Sequence, residues 1–372
     1  MVNHGSVARV TAVYALSHFV VDLVCVSTLL GWIVPGLRAW DWELSAFAII
    51  TYDMVAFCLQ LPVGALLDVL GSRFSQRAAL VSFVLVGCGA ACGWADGAML
   101  AVPSVGLVAL GNALFHCVGG IEVLENSGER MAPAGEFIST GALGVFLGGL
   151  AGFNSMPWVP ALMVVLLLAC TVLVLTMVGE SSEKAGMLAF SLSRRGWLAV
   201  VLLALTVGLR SYAGTSMGFP WKAVPGLALS AVIAVVAGKA VGGRLADRIG
   251  AVAASAVSLG AVALLFPASW GNVAAGIAAA FLFNFTMAIT LCSLTRLLPN
   301  AKGMGFGIAS FSLAIGALPA LLGVRMESGS GLSVLSLVSL VMLELALAAI
   351  SSCGESRGRH RGVVCRQVGR HG

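Results

Sequence analysis

Charged residues are scarce in this chain of 372 residues. They make up 10% of it, whereas an ordinary soluble domain carries roughly 25%. Hydrophobic residues reach 59% and the mean hydropathy is +1.01, so a soluble domain built around one packed core is excluded. The composition indicates an integral membrane protein.

The sequence also lacks the patterns of a disulfide framework, a metal site or an enzyme. Its nine cysteines are an odd number and lie mostly in apolar stretches, so we interpret them as small packing residues. Cys353, His360, Cys365 and His371 in the basic C-terminal segment follow no compact ligand spacing. No nucleophile is paired with a base, and no soluble domain is appended. We predict no enzymatic activity, no metal, no cofactor and no nucleic-acid partner.

Apolar segments long enough to cross a bilayer recur along the whole chain. A window of about 20 residues divides the sequence into twelve predicted spans. They run near 8–34, 43–67, 77–96, 98–122, 134–156, 158–178, 195–218, 222–242, 250–268, 271–296, 303–324 and 331–352. The sequence therefore predicts an all-α membrane protein with twelve transmembrane helices.

Basic residues and tryptophans predict the orientation. With both termini inside, only Arg38, Lys222 and Arg325 of the 21 Lys and Arg fall outside, and Arg210 lies within a span. Cytoplasmic loops carry such an excess of positive charge. All tryptophans but Trp197 fall at predicted outer ends, in the interfacial layer that indole prefers. We expect a bacterial cytoplasmic (inner) membrane protein with both termini cytoplasmic.

A short polar signature, Gly-x-x-x-Asp-x-x-Gly with an arginine beside it, occurs once in each half of the chain. Its residues are Gly64, Asp68, Gly71 and Arg73 in the first copy, and Gly243, Asp247, Arg248 and Gly250 in the second. Glycine permits close helix approach and a tight turn. A carboxylate near a helix N-terminus and an arginine forms charged hydrogen bonds. We predict that these residues latch the inner side of each half, and the duplication indicates a transporter built from two related bundles.

The motif resembles the loop between the second and third helices of each half in the major facilitator superfamily. The resemblance implies the major facilitator fold, with two pseudo-symmetric six-helix bundles at 1–178 and 195–352. A cytoplasmic linker at 179–194 joins them, and a basic cytoplasmic tail follows at 353–372. The family's motif stabilises one alternating-access state rather than touching substrate, which implies the same role here. Ala251 and Val252 replace the basic residues usual after the second copy, so its latch is expected to be weaker.

Ionisable residues inside predicted spans are the candidate functional groups, because each costs about 2.5–3.5 kcal/mol to insert. His18 and Asp22 are four residues apart on one helical face, and Asp53 lies near mid-membrane in the second span. Arg210 in the seventh span lies at about the depth of Asp22, so a contact between the two halves is geometrically plausible. We assign His18, Asp22, Asp53, His116, Arg210 and Asn284 to the coupling site and substrate cavity.

Structural roles compete with these assignments. His18 also fits a packing histidine, and Asp22 and Asp53 also fit structural acceptors for neighbouring hydroxyl or amide groups. Glu344 in the last span is expected to be structural. Gly141, Gly144, Gly148, Gly149 and Gly152 in the fifth span resemble the Gly-rich helix of drug/proton antiporters, and small residues at this spacing equally indicate close helix packing.

Three short segments show a narrower resemblance, to the fosmidomycin-resistance group of drug exporters. They are His18-Phe-Val-Val-Asp22, Gly111-Asn-Ala-Leu-Phe115-His116, and the second motif from Gly242 to Gly250. Cys117 stands where that group has proline after its Phe-His pair. This resemblance implies export of the substrate.

The sequence thus predicts a monomeric secondary active transporter of a small organic solute, with proton-coupled efflux by alternating access. Asp22, aided by His18 and Asp53, is expected to take and release the proton, because desolvation and a nearby Arg210 act on a carboxylate in opposite directions. A proton-coupled uptake carrier, or a non-transporting sensor or scaffold on the same fold, is the alternative. The partners implied are a small-molecule substrate, protons and the lipid bilayer.

Overall fold

The computed structural model describes residues 4–178 and 192–368, without the side chains of residues 4, 5, 72 and 353–368. Within these residues, 12 helices are long and apolar enough to span a membrane. They are α1 (Ser6–Arg38), α2 (Trp42–Leu70), α3 (Ser75–Ala95), α4 (Ala101–Asn126), α5 (Ala132–Asn154), α6 (Val159–Met177), α7 (Arg194–Ser216), α8 (Pro225–Ile249), α9 (Ala251–Ala268), α10 (Val273–Leu297), α11 (Lys302–Leu321) and α12 (Gly329–Ser352). The prediction of an all-α protein with twelve membrane helices is confirmed.

Each helix overlaps the span predicted from hydropathy, and the largest difference concerns α8. Its predicted span ended at residue 242, whereas the helix continues to Ile249. As a result Lys239, which the charge pattern placed at the cytoplasmic edge, lies nearly three turns inside the helix end. The predicted linker lies largely outside the described residues, and the helix that contains α12 continues to Val368, through most of the predicted tail.

Three membrane helices have local breaks. A π-helical turn at Leu29–Ile33 interrupts α1, and α2 is divided at Leu59 into two helical segments. In α10 the first helical segment ends at Phe283 and the next begins at Thr286. The carbonyl groups at the end of a helical segment lack intrahelical partners. At the break in α10 the N–H groups of Asn284 and Phe285 donate to the carbonyl oxygens of Phe281 and Leu282, and the carbonyl oxygen of Phe283 needs a partner from another part of the protein.

Glycines allow α5 to pack directly on α1. A methyl group at Gly144 or Gly148 would meet the backbone of Phe19 or Leu23, and one at Gly152 would meet Ser27. Helices approach this closely in a membrane only where side chains are small. The small-residue series of α5 is thus a packing surface against α1.

The first six helices meet the last six through two equivalent pairs, α2 with α11 and α5 with α8. The backbone of Gly64 in α2 faces Gly303 in α11, and Gly243 in α8 faces Met131 just before α5. We call the end of the molecule that carries Asp68 and Asp247 the motif face. Because backbone lies against backbone at both crossings, the molecule is closed at this face.

Candidate functional site

Asp68 binds the N-terminus of a helix in the opposite half of the chain. Its carboxylate accepts hydrogen bonds from the backbone N–H groups of Gly303 (2.8 Å) and Met304 (2.7 Å), in the first turn of α11. A helix N-terminus carries free N–H groups and partial positive charge, so it binds a carboxylate well. Asp68 therefore links α2 to α11 across the motif face.

Asp247 makes the equivalent contact with the first half. Its carboxylate accepts from the N–H groups of Met131 (2.7 Å) and Ala132 (3.0 Å) at the start of α5. Gly71 and Gly250 follow the two helices with φ of +79° and +87°, which favours glycine. The sequence analysis expected each carboxylate to latch its own half, near a helix N-terminus and an arginine, whereas the helix N-terminus that it contacts belongs to the opposite half. Among the described residues neither Arg73 nor Arg248 is ion-paired, and Arg73 lies 4.9 Å from the Phe74 ring.

Ion pairs accompany these contacts on the motif face. Arg244 in α8 approaches Glu136 in α5 to 2.6 Å, and Arg296 in α10 lies 3.5 Å from Glu129. Both pairs join the two halves and both are exposed. An exposed pair contributes about 1 kcal/mol or less, so the two buried crossings and the aspartate contacts dominate the closure.

A cavity of about 540 Å³ lies between the two halves, beyond the motif face. It extends from Thr290 and Phe306 to Met217 and Lys222, at the opposite ends of the helices. Most of its wall is apolar, and its charged lining residues are three cations, Arg210, Lys222 and Lys239. Its volume falls in the range of small-molecule sites, ~300–1,000 Å³.

Arg210 is buried in the wall of this cavity, with 6% of its surface exposed. Its Nη2 donates to the carbonyl oxygen of Phe283, at the break in α10, and its guanidinium lies 4.7 Å from the Phe283 ring centroid. Nε of Arg210 has no hydrogen-bond partner. Among the described residues no carboxylate lies within 4.0 Å, so the positive charge is uncompensated.

Lys222 and Lys239 place positive charge at the two ends of the cavity. The ammonium group of Lys222 donates to the carbonyl of Met217 (2.8 Å) and lies 4.9 Å from the Phe219 ring. Burial lowers the pKa of Lys222, because desolvation penalises the charged form. Lys239 is half-buried and, within the part of the chain that the structure describes, has no carboxylate within 4.0 Å.

Lys239 also lines a smaller adjoining cavity of about 290 Å³, whose other ionisable groups are acidic residues and histidines. Three of them form a buried cluster. His18 Nε2 lies 3.3 Å from one oxygen of Asp22, and His116 Nε2 lies 3.6 Å from the other. Asn112 donates to that second oxygen at 2.8 Å. We call His18, Asp22 and His116 the triad.

Two further predicted residues lie at the cavities without joining the triad. Asp53 in α2 lines the smaller cavity. Asn284 lines the larger one at the break in α10, where its amide donates to the Ala280 carbonyl at 2.8 Å. Glu344 lies elsewhere, in α12, and accepts a hydrogen bond from Ser255 at 2.5 Å.

The structure brings His18, Asp22 and His116 together but not the predicted pair of Asp22 and Arg210. In this conformation Arg210 contacts the α10 break instead. Sequence reasoning also missed Asn112 and Lys239. Asn112 precedes His116 by one helical turn, and Lys239 precedes Asp247 by about two. The helical spacing from residues already selected could therefore have indicated both.

The chain resembles solved transporters in structure and only distantly in sequence. The human organic anion transporter MFSD10 (TETRAN) superposes with a TM-score of 0.65 over 91% of this chain and 99% of that one, at 16% identity. The Escherichia coli fucose:proton symporter FucP gives 0.64 over 91% and 98%, at 14% identity. A bacterial homologue of the iron transporter ferroportin, in its outward-facing state, gives 0.59 over 93% and 99%, at 15% identity. No protein-family model and no curated protein sequence matches the chain.

Proposed function

We propose that this protein, whose fold is that of the major facilitator superfamily, is a secondary active transporter of a small organic anion, coupled to protons. Arg210 is the observation that carries the proposal. A buried charge is unfavourable unless it is paired, and Arg210 faces a cavity of about 540 Å³ with Nε unpartnered. A carboxylate or similar group of a ligand supplies the missing partner.

The rest of the cavity supports an organic rather than an inorganic anion. Its wall is mainly apolar, with Val207, Ala228, Phe283 and Leu313 around the charged groups. Apolar surface stabilises the carbon skeleton of a solute, and the few polar groups orient it. Arg210, Lys222 and Lys239 thus favour a solute with one or two negative charges and an apolar body.

The two aspartate contacts support alternating access. Asp68 and Asp247 hold together the closed motif face, while the cavity extends toward the opposite face. Breaking both contacts and closing the opposite ends would expose the same cavity to the other side. We propose that the motif face is cytoplasmic, in the inner membrane of a bacterium, and that the chain works as a monomer. Efflux is the direction that the sequence resemblance favours.

The triad supports proton coupling because its ionisable groups lie in the smaller cavity, next to the proposed anion site. Lys239 lines both cavities, so it faces the solute and the triad. Two structural neighbours are described as an organic anion transporter and a fucose:proton symporter. They support this class of function only by analogy of fold.

The test compares carboxylates with their uncharged amides in reconstituted vesicles. Arg210→Gln is expected to weaken carboxylate binding about 10-fold or more, because a charge-assisted hydrogen bond contributes about 1.5–3 kcal/mol, and to leave amide binding unchanged. Arg325→Gln removes an exposed arginine outside the cavity and serves as the control. Inverting the pH gradient across oriented vesicles reports direction. Binding without any flux would instead identify a sensor, and amide flux equal to carboxylate flux would refute an anion site.

A further inference from the structure

The contact between the two histidines of the triad implies a bound proton. We propose that His18 and His116 share one proton between their Nε2 atoms, with Asp22 as its counterion, and that this is the proton coupled to solute movement. The coupling role rests on the proposed function. The shared proton itself follows from the hydrogen-bond geometry of the resting protein.

Both imidazoles donate through Nδ1. His18 Nδ1 lies 2.8 Å from the carbonyl oxygen of Phe137 in α5, and His116 Nδ1 lies 2.9 Å from the carbonyl oxygen of Asn112. A carbonyl oxygen only accepts hydrogen bonds. Each Nδ1 therefore carries a hydrogen, which fixes the tautomer of both rings.

A neutral imidazole with hydrogen on Nδ1 has a lone pair on Nε2. The two Nε2 atoms are 2.8 Å apart, a hydrogen-bond distance, and the rings meet edge to face at 84°. Two lone pairs repel at this distance, whereas one additional proton between them makes a charged hydrogen bond. The pair is thus an imidazole and an imidazolium, with one positive charge in total.

Asp22 is placed as the counterion of that charge. Its two oxygens lie 3.3 and 3.6 Å from the two Nε2 atoms, and the amide of Asn112 donates to one of them at 2.8 Å. An amide N–H and an imidazolium both stabilise the ionised carboxylate. Asp22, which the sequence analysis predicts as the proton carrier, is assigned here to hold the charge that keeps the proton between the histidines.

The groups around the triad agree with one bound proton. Asp22 lies beside the two histidines on α1. Asp53 of α2, Lys239 of α8, Gly141 of α5 and Ser310 of α11 line the same cavity, and the Phe137 ring of α5 stacks on His18. With both carboxylates ionised and Lys239 charged, one shared proton brings the site to zero net charge. A divalent cation in its place would leave a net positive charge in a buried site, which is unfavourable.

Nitrogen-15 NMR of histidine-labelled protein in nanodiscs tests the assignment directly. The chain has 5 histidines, and His18→Asn and His116→Asn identify the two signals because Asn keeps a donor at the Nδ1 position and lacks Nε2. At pH 8, where a free imidazole of pKa about 6.5 is neutral, we expect both Nδ1 atoms protonated and one proton divided equally between the Nε2 atoms. An unprotonated Nδ1 in either ring, two unprotonated Nε2 atoms, or one equivalent of tightly bound zinc would overturn the proposal.

Transport separates the shared proton from a proton carried by Asp22 alone. A shared proton needs both rings, so His18→Asn and His116→Asn should abolish gradient-driven accumulation equally while equilibrium exchange of the solute survives. Glu344→Gln removes a membrane carboxyl outside the cavities and is the control. If His116→Asn remains fully coupled, the shared proton is not the coupling ion, although anion transport stands. If the NMR signature is present and no anion is transported, the proposed function fails and the shared proton stands.

Discussion

Replacing Asp68 by Asn tests how the motif face closes. The carboxylate accepts two backbone hydrogen bonds, at 2.8 and 2.7 Å, from the first turn of α11. Asn keeps one neutral acceptor, loses the other, and loses the charge that favours a helix N-terminus. Hydrogen bonds to a charged group contribute about 1.5–3 kcal/mol each and neutral ones about 0.5–1.5 kcal/mol.

The expected shift follows from that difference. Asp68 is half-buried, so hydrogen bonds to water replace part of the interaction that Asn loses. We therefore take a loss of about 2 kcal/mol in the stability of the closed face, from the lower end of the range. At about 1.4 kcal/mol per factor of ten, the equilibrium between closed and open motif faces should move about 30-fold toward open. Turnover should slow, while solute affinity stays within a few-fold because Asp68 does not line the cavity.

Spin labels on the α4–α5 and α10–α11 loops measure this shift as a change in the distance distribution across the motif face. Glu136→Gln is the matched control, because it removes an exposed ion pair at the same interface and should shift the distribution little. Asp247→Asn should have a smaller effect than Asp68→Asn, since Asp247 is exposed. An unchanged distribution for Asp68→Asn, or loss of solute binding, would refute the reasoning.

Three further predictions concern the cavities. Asp22→Asn should abolish gradient-driven transport and leave part of the equilibrium exchange, measured in the same vesicles across pH 5 to 8; a normal pH profile would make Asp22 structural. Gly141→Ala places a methyl group against His18 Nε2 and the Asp22 carboxylate and should impair coupling, whereas Gly106→Ala, with open space around it, should not. Because burial lowers the pKa of Lys222, its charge is present at low pH and lost as pH rises through a value below that of an ordinary lysine. Anion affinity should therefore fall on the alkaline side, and Lys222→Arg should move that fall to higher pH; an identical pH profile for both proteins would show that Lys222 does not contact the anion.

Hydropathy, basic-residue position and the duplicated motif were sufficient to predict the membrane helices and the fold. These signals are strong because each lipid-exposed helix must be apolar over its whole length. Helix ends were less well defined, since hydropathy indicates where the apolar stretch ends and not where the helix ends. For that reason α8 was predicted too short, and Lys239 was placed at the membrane edge rather than in the cavity.

The partners of individual side chains depended on tertiary structure. Asp68 and Asp247 were expected to act within their own half, near a helix N-terminus and an arginine, because sequence shows neighbours along the chain and not helix termini in the other half. Asp22 and Arg210 have matching depth, but depth does not define which way a side chain points around the helix. The break at Asn284 gives Arg210 a backbone partner, and nothing in the apolar sequence around it indicated a break there.

Proton coupling requires that a change between the halves be felt at the proton site. His18, Asp22 and His116 all belong to the first six helices, so a rigid movement of the two halves leaves their mutual distances unchanged. Among the described residues that line the smaller cavity, Lys239 is the one charged group from the last six helices. A positive charge that approaches the triad disfavours the shared proton, and one that withdraws favours it. Because Lys239 also lines the larger cavity, a solute bound there changes the field of this charge at the triad, which is the physical link between solute occupancy and protonation that coupled transport needs.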